Sequence, residues 1–415
     1  MAIRLQQKSA PVLFTFDMSD ADTRAAVAKL YDAYPFPPEP LLDEPPPGYN
    51  WRWVWDAAYN FCTQQRPARS NVRILDAGCG SGVGTEYLAH LNPDASVLGI
   101  DISPGTLDVA RERCQRSGAN NVEFRCLPLE AAAELPGKFE LINCVGVLHH
   151  LPNPVRGIQA LAPKLAPGGI LHVFVYAEYG RWEIRLMQQA IALLQSNRSD
   201  YREGVKLGRA LFAALPETNR LVRRERERWS LENQRDANFA DMYVHPQEID
   251  YTTETLFELI AASGLEFVGF SNPQVWQPER LLGSNPDLLA RARALPEHDR
   301  YRLIEQLDPE GITHFEFFLA RSPLSRADWS DDAALLAAIP LRHPCLQGWE
   351  SRSVFDLNYQ LVDLNAAEFA FLKTCDGTRS VGEVLAAVPN FDLAGTRSLQ
   401  TRQLLTLSPT THDPN

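Results

Sequence analysis

The chain has 415 residues, enough for two or more domains, and its 45% apolar and 22% charged residues describe an ordinary globular protein. A net charge of −12 disfavours a protein that grips nucleic acid mainly through phosphates, so no nucleic-acid partner is expected. No apolar run approaches bilayer-spanning length and no charged segment leads into an apolar one at the start, so no membrane partner is expected and a cytoplasmic location is the default.

In chain order, 20–33 has helical spacing with Ser19 or Asp20 as its cap. YPFPPEP (34–40) and EPPPG (44–48) exclude helix interiors. Trp51, Trp53 and Trp55 alternate, and 56–64 continues as a helix. Residues 1–70 are therefore expected to form a helical cap over a site, with 34–40 as a lid element or a stiff packed connector. Residues 71–177 alternate strands (near 72–76, 96–101, 121–125, 139–145, 170–176) with helices (near 83–91, 104–117, 154–166). That is the pattern of a doubly wound α/β sheet, which binds ligands at the carboxyl ends of its strands.

Residues 181–250 break the alternation with an amphipathic helix over 181–194 and an arginine-rich helical stretch over 201–229. A helix over 253–263 and strands over 265–270 and 312–320 resume it, and 278–306 reads as helical. The segments 181–250 and 278–306 are expected to be insertions that roof a substrate pocket within a domain spanning 71–321. From Ser322 the pattern changes to a small C-terminal domain over 322–388, with two apolar-periodic helices about the turn Asp376-Gly377-Thr378. The polar, Thr/Pro-rich 389–415 is expected to be a disordered tail.

The segment VRILDAGCGSGVGTEY (72–87) carries the most chemistry. A strand runs into Asp76, and Gly78, Gly80 and Gly82 follow at every second position before a helix. Glycines there let backbone approach a ligand, and the free N–H groups of the helix start can bind its polar atoms. The next strand, SVLGI (96–100), ends in Asp101, placed to accept hydrogen bonds from ribose hydroxyls. A dinucleotide fingerprint would put its third glycine at Val83, and a carboxylate at 76 would repel a pyrophosphate while suiting an ammonium.

The form acid-x-Gly-x-Gly-x-Gly of LDAGCGSG resembles the first motif of the class I S-adenosylmethionine-dependent methyltransferases. FELINCVGVLHHLPNP (139–154) is similar to that family's fourth strand and turn, and LAPKLAPGGILHVFVYA (161–177) to its helix, Pro-Gly-Gly turn and fifth strand. The resemblance implies a Rossmann-like, mostly parallel sheet whose last strand is antiparallel. It also implies S-adenosyl-L-methionine as cofactor. Residues 361–388 resemble the winged-helix domains appended to some bacterial protein-lysine methyltransferases, and more weakly the PqqD-type peptide-binding fold.

The same resemblance assigns a cofactor clamp. Asp76 is expected to face the amino group; Gly78, Gly80 and Gly82, with Cys79 in the same turn, would wrap the methionine part. Asp101 would take the ribose hydroxyls, with Ile102 against adenine. The third-strand end, RCLPLEAAA, departs from the family pattern, so Leu129 and Glu130 are the nearest candidates for the adenine amino group. Asn143 would border the methionine moiety. Catalytic candidates are His149 and His150, since imidazole titrates near neutrality, His245 before Pro246, and Tyr179 after the fifth strand. Tyr176, Glu178, Arg181, Asp241, Tyr243 and Tyr251 are further pocket candidates.

The seven cysteines (62, 79, 114, 126, 144, 345, 375) show no metal-ligand spacing, so no metal is expected and they read as reduced core thiols. The functional expectation is methyl transfer to oxygen or nitrogen of a small-molecule acceptor. The alternatives are a protein or peptide acceptor held by the C-terminal domain, or a non-catalytic cofactor-binding regulator. The glycine spacing opposes a dehydrogenase.

Overall fold

The first strand of the alternating region, β1 (Arg73–Ala77), is buried over its last four residues, as a strand covered on both faces must be. It pairs in parallel with β2 (Ser96–Asp101) and β4 (Phe139–Val145). The computed structural model describes residues 19–409. Adding β3 (Val122–Cys126), β5 (Leu165–Tyr176), β6 (Glu266–Phe270) and β7 (His314–Ala320) gives one seven-stranded sheet in the order β3-β2-β1-β4-β5-β7-β6. β7 enters between β5 and β6 and is antiparallel to both, as the family resemblance implied. The order reverses between β1 and β4, so the crevice at their carboxyl ends is where an open α/β sheet binds its ligand.

Helices α1 (Asp20–Ala33) and α2 (Trp55–Thr63) precede the sheet. α3 (Val83–Leu91), α4 (Pro104–Ser117) and α5 (Pro154–Leu161) connect its strands. Pro163 ends α5 earlier than the sequence spacing suggested, and the Pro-Gly-Gly turn is drawn into the start of β5. The first insertion holds α6 (Glu178–Leu194), α7 (Tyr201–Ala214), α8 (Arg220–Arg224) and α9 (Asp236–Tyr243), so the expected 201–229 helix is broken around Pro216. After α10 (Thr253–Ser263), the second insertion is α11 (Glu279–Leu282), α12 (Pro286–Arg293) and α13 (Glu297–Leu307). α13 packs on α10, away from the strand ends, and no residue of 278–306 borders the main cavity. The expected roofing role therefore belongs to the first insertion alone.

The segment 34–40 is a packed connector that also walls the site. Ser81 donates from its backbone N–H to Phe36 O at 2.8 Å and from its hydroxyl to Pro37 O at 2.6 Å. Arg113 on α4, buried to 2% exposure, donates to Ser81 O, Glu39 O and Pro40 O. One guanidinium thus ties the connector to the glycine turn.

The C-terminal module contains α14 (Asp332–Ala337), β8 (Ile339–Arg342), the hairpin β9 (Ser353–Phe355) and β10 (Leu361–Asp363), then α15 (Ala366–Thr374) and α16 (Val381–Ala387). The expected disordered tail is a correction. Residues 393–401 form α17 (Leu393–Thr401), and β11 (Leu405–Ser408) pairs antiparallel with β8. Leu399, Leu404, Leu405 and Leu407 are buried with Phe371 and Val384 in the module's own core. Polar, Thr/Pro-rich composition masked four leucines spaced to close a core. Residues 410–415 of that tail, and 1–18 of the cap, lie outside the described residues.

The module docks on residues 47–66: Tyr49 stacks on Tyr359 at 4.5 Å, Arg66 N–H donates to Leu407 O, and Trp329 Nε1 donates to Gln64 O. Cys345 and Leu357 join the core around Trp51 and Trp55. Truncation near Ser322 is therefore expected to lower the melting temperature by several degrees yet leave S-adenosylhomocysteine affinity within about threefold. Scanning calorimetry and titration calorimetry on the truncated chain check both halves; loss of binding in a folded fragment would mean that the module completes the cofactor site.

Candidate active site

A cavity of about 650 Å³ opens at the carboxyl ends of β1, β2, β4 and β5, within the size range of small-ligand sites. α1 and Phe36–Pro37 wall it on one side, and residues 228–242 of the first insertion on another.

At one end sits a clamp. Asp76 is buried and accepts Thr85 Oγ1 on Oδ2 at 2.6 Å and Asn143 Nδ2 on Oδ1 at 2.8 Å. Burial pushes its pKa up, and the Thr85 and Asn143 hydrogen bonds oppose that rise. Gly78 has φ +79°, and a Cβ there would overlap the Val147 side chain. Gly80 has φ +53°, with the Phe36 carbonyl where its Cβ would stand. Cys79 lines the cavity between them. Gly82 does not: its φ is +82°, and its missing side chain makes room for Ala110 of α4, whose Cβ would lie 2.8 Å away. The third glycine therefore serves helix packing, and Gly84 instead borders the ligand space beside Asp76.

Asp101 lines the same wall, its Oδ2 accepting from Gly80 N–H at 3.0 Å and its Oδ1 from Ser103 N–H at 2.9 Å. Ser103 Oγ caps α4 by accepting from Thr106 N–H, which spares Asp101 that duty. Each Asp101 oxygen keeps an acceptor position for a ribose hydroxyl. Ile102, Leu129 and Glu130 follow along the wall. Glu130 Oε1 faces Arg24 at 3.4 Å, while its Oε2 is buried without a hydrogen-bond partner. That orphan acceptor suits an adenine amino group, the contact for which the third-strand end had no obvious residue. Asn143 turns its Oδ1 to Trp53 Nε1 at 3.1 Å and to His172 Nδ1 at 2.8 Å, which fixes its amide to donate toward Asp76. Trp53 borders the cavity and was missed, because in the sequence it reads only as one of three alternating tryptophans. This donor and acceptor set fits an adenosyl amino acid.

At the other end stand Tyr176, Arg181, His150 and Asp241. The Arg181 guanidinium lies 3.4 Å from the Tyr176 ring centroid and pairs with Glu248 at 3.2 Å. Tyr31 Oη donates to Asp241 Oδ1 at 3.0 Å. His150 Nδ1 donates to Gln247 O at 2.8 Å, and its ring stacks on His245 at 3.7 Å. Burial lowers the pKa of both imidazoles, against the pull of Asp241 on His150. One ligand-type atom from each of His150, Asp241 and His245 lies within 4.8 Å of the other two, a buried cluster that no sequence spacing announced.

Of the catalytic candidates, His245 is buried against His150 without lining the cavity, and two more stand elsewhere. His149 is fully buried behind the wall, stacked on Tyr176 at 3.9 Å, and does not line the cavity. Tyr179 faces outward on α6, where Glu178, Trp182, Gln306 and Pro309 flank it in a separate shallow pocket. The place of Tyr179 follows from helical phase: α6 turns Arg181 inward and its neighbours at 178, 179 and 182 outward. Tyr243 and Tyr251 are buried beside this region without lining the cavity. Among the described residues no helix is long and apolar enough to cross a membrane.

Residues 75–171 match a methyltransferase domain family. An uncharacterized protein of Synechococcus sp. is 60% identical over 398 residues, which is 94% of this chain and 95% of that protein. Uncharacterized phycocyanin operon protein W of Pseudanabaena tenuis is 75% identical over 100 residues, covering 24% of this chain and 94% of its own. The solved structure of PKMT2 from Rickettsia typhi shares the fold, with TM-score 0.60 and 15% identity over 88% of this chain and 77% of that one. S-adenosylmethionine is the cofactor. Residues 75–171 form a class I S-adenosylmethionine-dependent methyltransferase domain.

Proposed function

We propose that this methyltransferase modifies nitrogen or oxygen of a protein side chain, and that phycocyanin is the acceptor. The module at 322–409 carries this reading. It contributes no residue to the cavity and docks on residues 47–66, and the fold match to the protein methyltransferase PKMT2 extends over 88% of this chain. A small-molecule enzyme has no evident use for such an appendage. The acceptor follows from the relative named for the phycocyanin operon, since genes transcribed together commonly serve one product.

Bound S-adenosylmethionine supplies a methyl group already activated on a sulfonium. The protein's part is to align donor and acceptor and to exclude water. Asp101, Asp76 and the turn at Gly78–Gly80 hold the donor end; Tyr176, Arg181, His150 and Asp241 border the space left for the acceptor. A second reading, a small-molecule acceptor, is favoured by the 650 Å³ enclosure. Incubating the purified enzyme and labelled S-adenosylmethionine with isolated phycocyanin subunits, or with a panel of small hydroxyl and amine compounds, separates the two. The mass gain of one methyl group on a phycocyanin peptide is expected; transfer to small molecules alone would refute the protein reading.

A further inference from the structure

The backbone of Gln247 meets two stacked imidazoles at once. Its C=O accepts from His150 Nδ1 at 2.8 Å, and its N–H donates to His245 Nδ1 at 3.1 Å. One peptide residue thereby sets opposite tautomers. His150 carries its hydrogen on Nδ1 and keeps a lone pair on Nε2, whereas His245 carries its hydrogen on Nε2, which is buried without a partner.

That arrangement speaks against a cation among His150, Asp241 and His245. Bound there, His245 would have to shed its Nε2 proton while its Nδ1 faces an N–H. Two rings stacked 3.7 Å apart at 23° also do not aim their lone pairs at one point.

We propose that His150 is a catalytic residue, its Nε2 receiving the proton that the acceptor N–H or O–H loses on methylation, with Gln247, His245 and Asp241 as positioning residues. The inference rests on the methyltransferase reading and adds the proton's destination. As the acceptor's lone pair forms the new bond to the methyl carbon, the S–C bond breaks and its electron pair stays on sulfur. His150 Nε2 takes the proton, and the resulting imidazolium is balanced by Asp241, itself held by Tyr31. Burial keeps His150 neutral beforehand, which a base requires. The charged and titratable groups facing it are Asp241, Glu248 and Arg181 from the first insertion and the loop after it, His245 below, Tyr176 of β5 and His149.

Two measurements test this. Nitrogen NMR of the histidine-labelled full chain with S-adenosylhomocysteine, assigned by the loss of one signal set in His150→Gln, should report His150 as the neutral Nδ1–H tautomer at pH 7. An Nε2–H tautomer, an imidazolium, or a stoichiometric metal in the purified chain that His150→Gln removes would overturn the proposal. With phycocyanin subunits as acceptor, His150→Gln should lose about a hundredfold or more in kcat, keep S-adenosylhomocysteine affinity, and lose the acidic limb of the pH–rate profile. An acidic limb that persists in the variant rejects the base role. Should His150→Gln not fold, Asp241→Asn should move the acidic limb to lower pH, because the carboxylate that favours the imidazolium is gone; a limb that stays in place rejects the proposal. If the wild-type enzyme leaves phycocyanin unmethylated, the acceptor assignment fails by itself, and the NMR measurement still decides the proton state.

Discussion

Asp101→Ala is expected to weaken S-adenosylmethionine binding at least tenfold while the sheet stays folded. A charge-assisted hydrogen bond contributes roughly 1.5–3 kcal/mol, and a carboxylate holding two ribose hydroxyls stands to lose two of them. The alanine also strips a partner from Gly80 N–H and Ser103 N–H, which Asp101 accepts at 3.0 and 2.9 Å. Part of the loss is therefore a looser glycine turn rather than missing ribose contacts. Asp101→Asn separates the two effects, since its amide oxygen retains an acceptor for one of those N–H groups. Titration calorimetry should rank affinity as wild type, then Asn, then Ala, with melting temperatures that fall less steeply than affinity. Equal affinity in all three proteins would mean that the ribose is held by another group.

The glycine-turn wall of the cavity was legible because its parts are local signals. An acid at a strand end, glycines at 78 and 80 and Ser103 before Pro104 are all set within a few residues of chain, and Asp76 and Asp101 line the cavity together with Asn143, which the family resemblance alone suggested. Gly82 shows the limit. Its regular spacing looks identical to that of Gly78 and Gly80, but what it meets is Ala110, 28 residues on and unknowable from the turn itself. The same limit separates His149 from His150. Adjacent in sequence on one short helical turn, their rings touch at 4.1 Å, and only the packing of Tyr176 over His149 and of His245 against His150 decides which reaches the cavity. Glu130 was one of two candidates at the third-strand end, and its unpaired Oε2 distinguishes it from Leu129 only in three dimensions. The C-terminal strand β11 escaped notice because its partner β8 lies more than sixty residues earlier, and a four-residue strand has no period long enough to read alone.

Glu316→Gln should destabilise the protein by about 3 kcal/mol at neutral pH. Burial alone would raise this carboxyl, but His172, Arg52 and Ser271 together hold it down to about 2. Arg52 Nε lies 2.7 Å away, Ser271 Oγ 2.8 Å and His172 Nε2 3.2 Å. An amide in its place leaves the Arg52 guanidinium, only 15% exposed, without a counter-ion. The pair keeps about a sixth of its surface in contact with solvent, so the loss belongs at the lower end for buried pairs. Because the folded pKa lies below the ordinary value of 4.5, the group's stabilisation is fully present above about pH 4.5 and drains away as pH falls towards 2. Urea denaturation of wild type and Glu316→Gln should differ most at pH 7, with the two curves converging as the pH approaches 2. The damage should also reach the cofactor, because Glu316 steadies His172, His172 faces Asn143 Oδ1 at 2.8 Å, and Asn143 orients Asp76. A several-fold loss of S-adenosylhomocysteine affinity in the folded variant is the corresponding expectation. Unchanged affinity beside lowered stability would show that the Asn143 amide keeps its orientation through Trp53 alone.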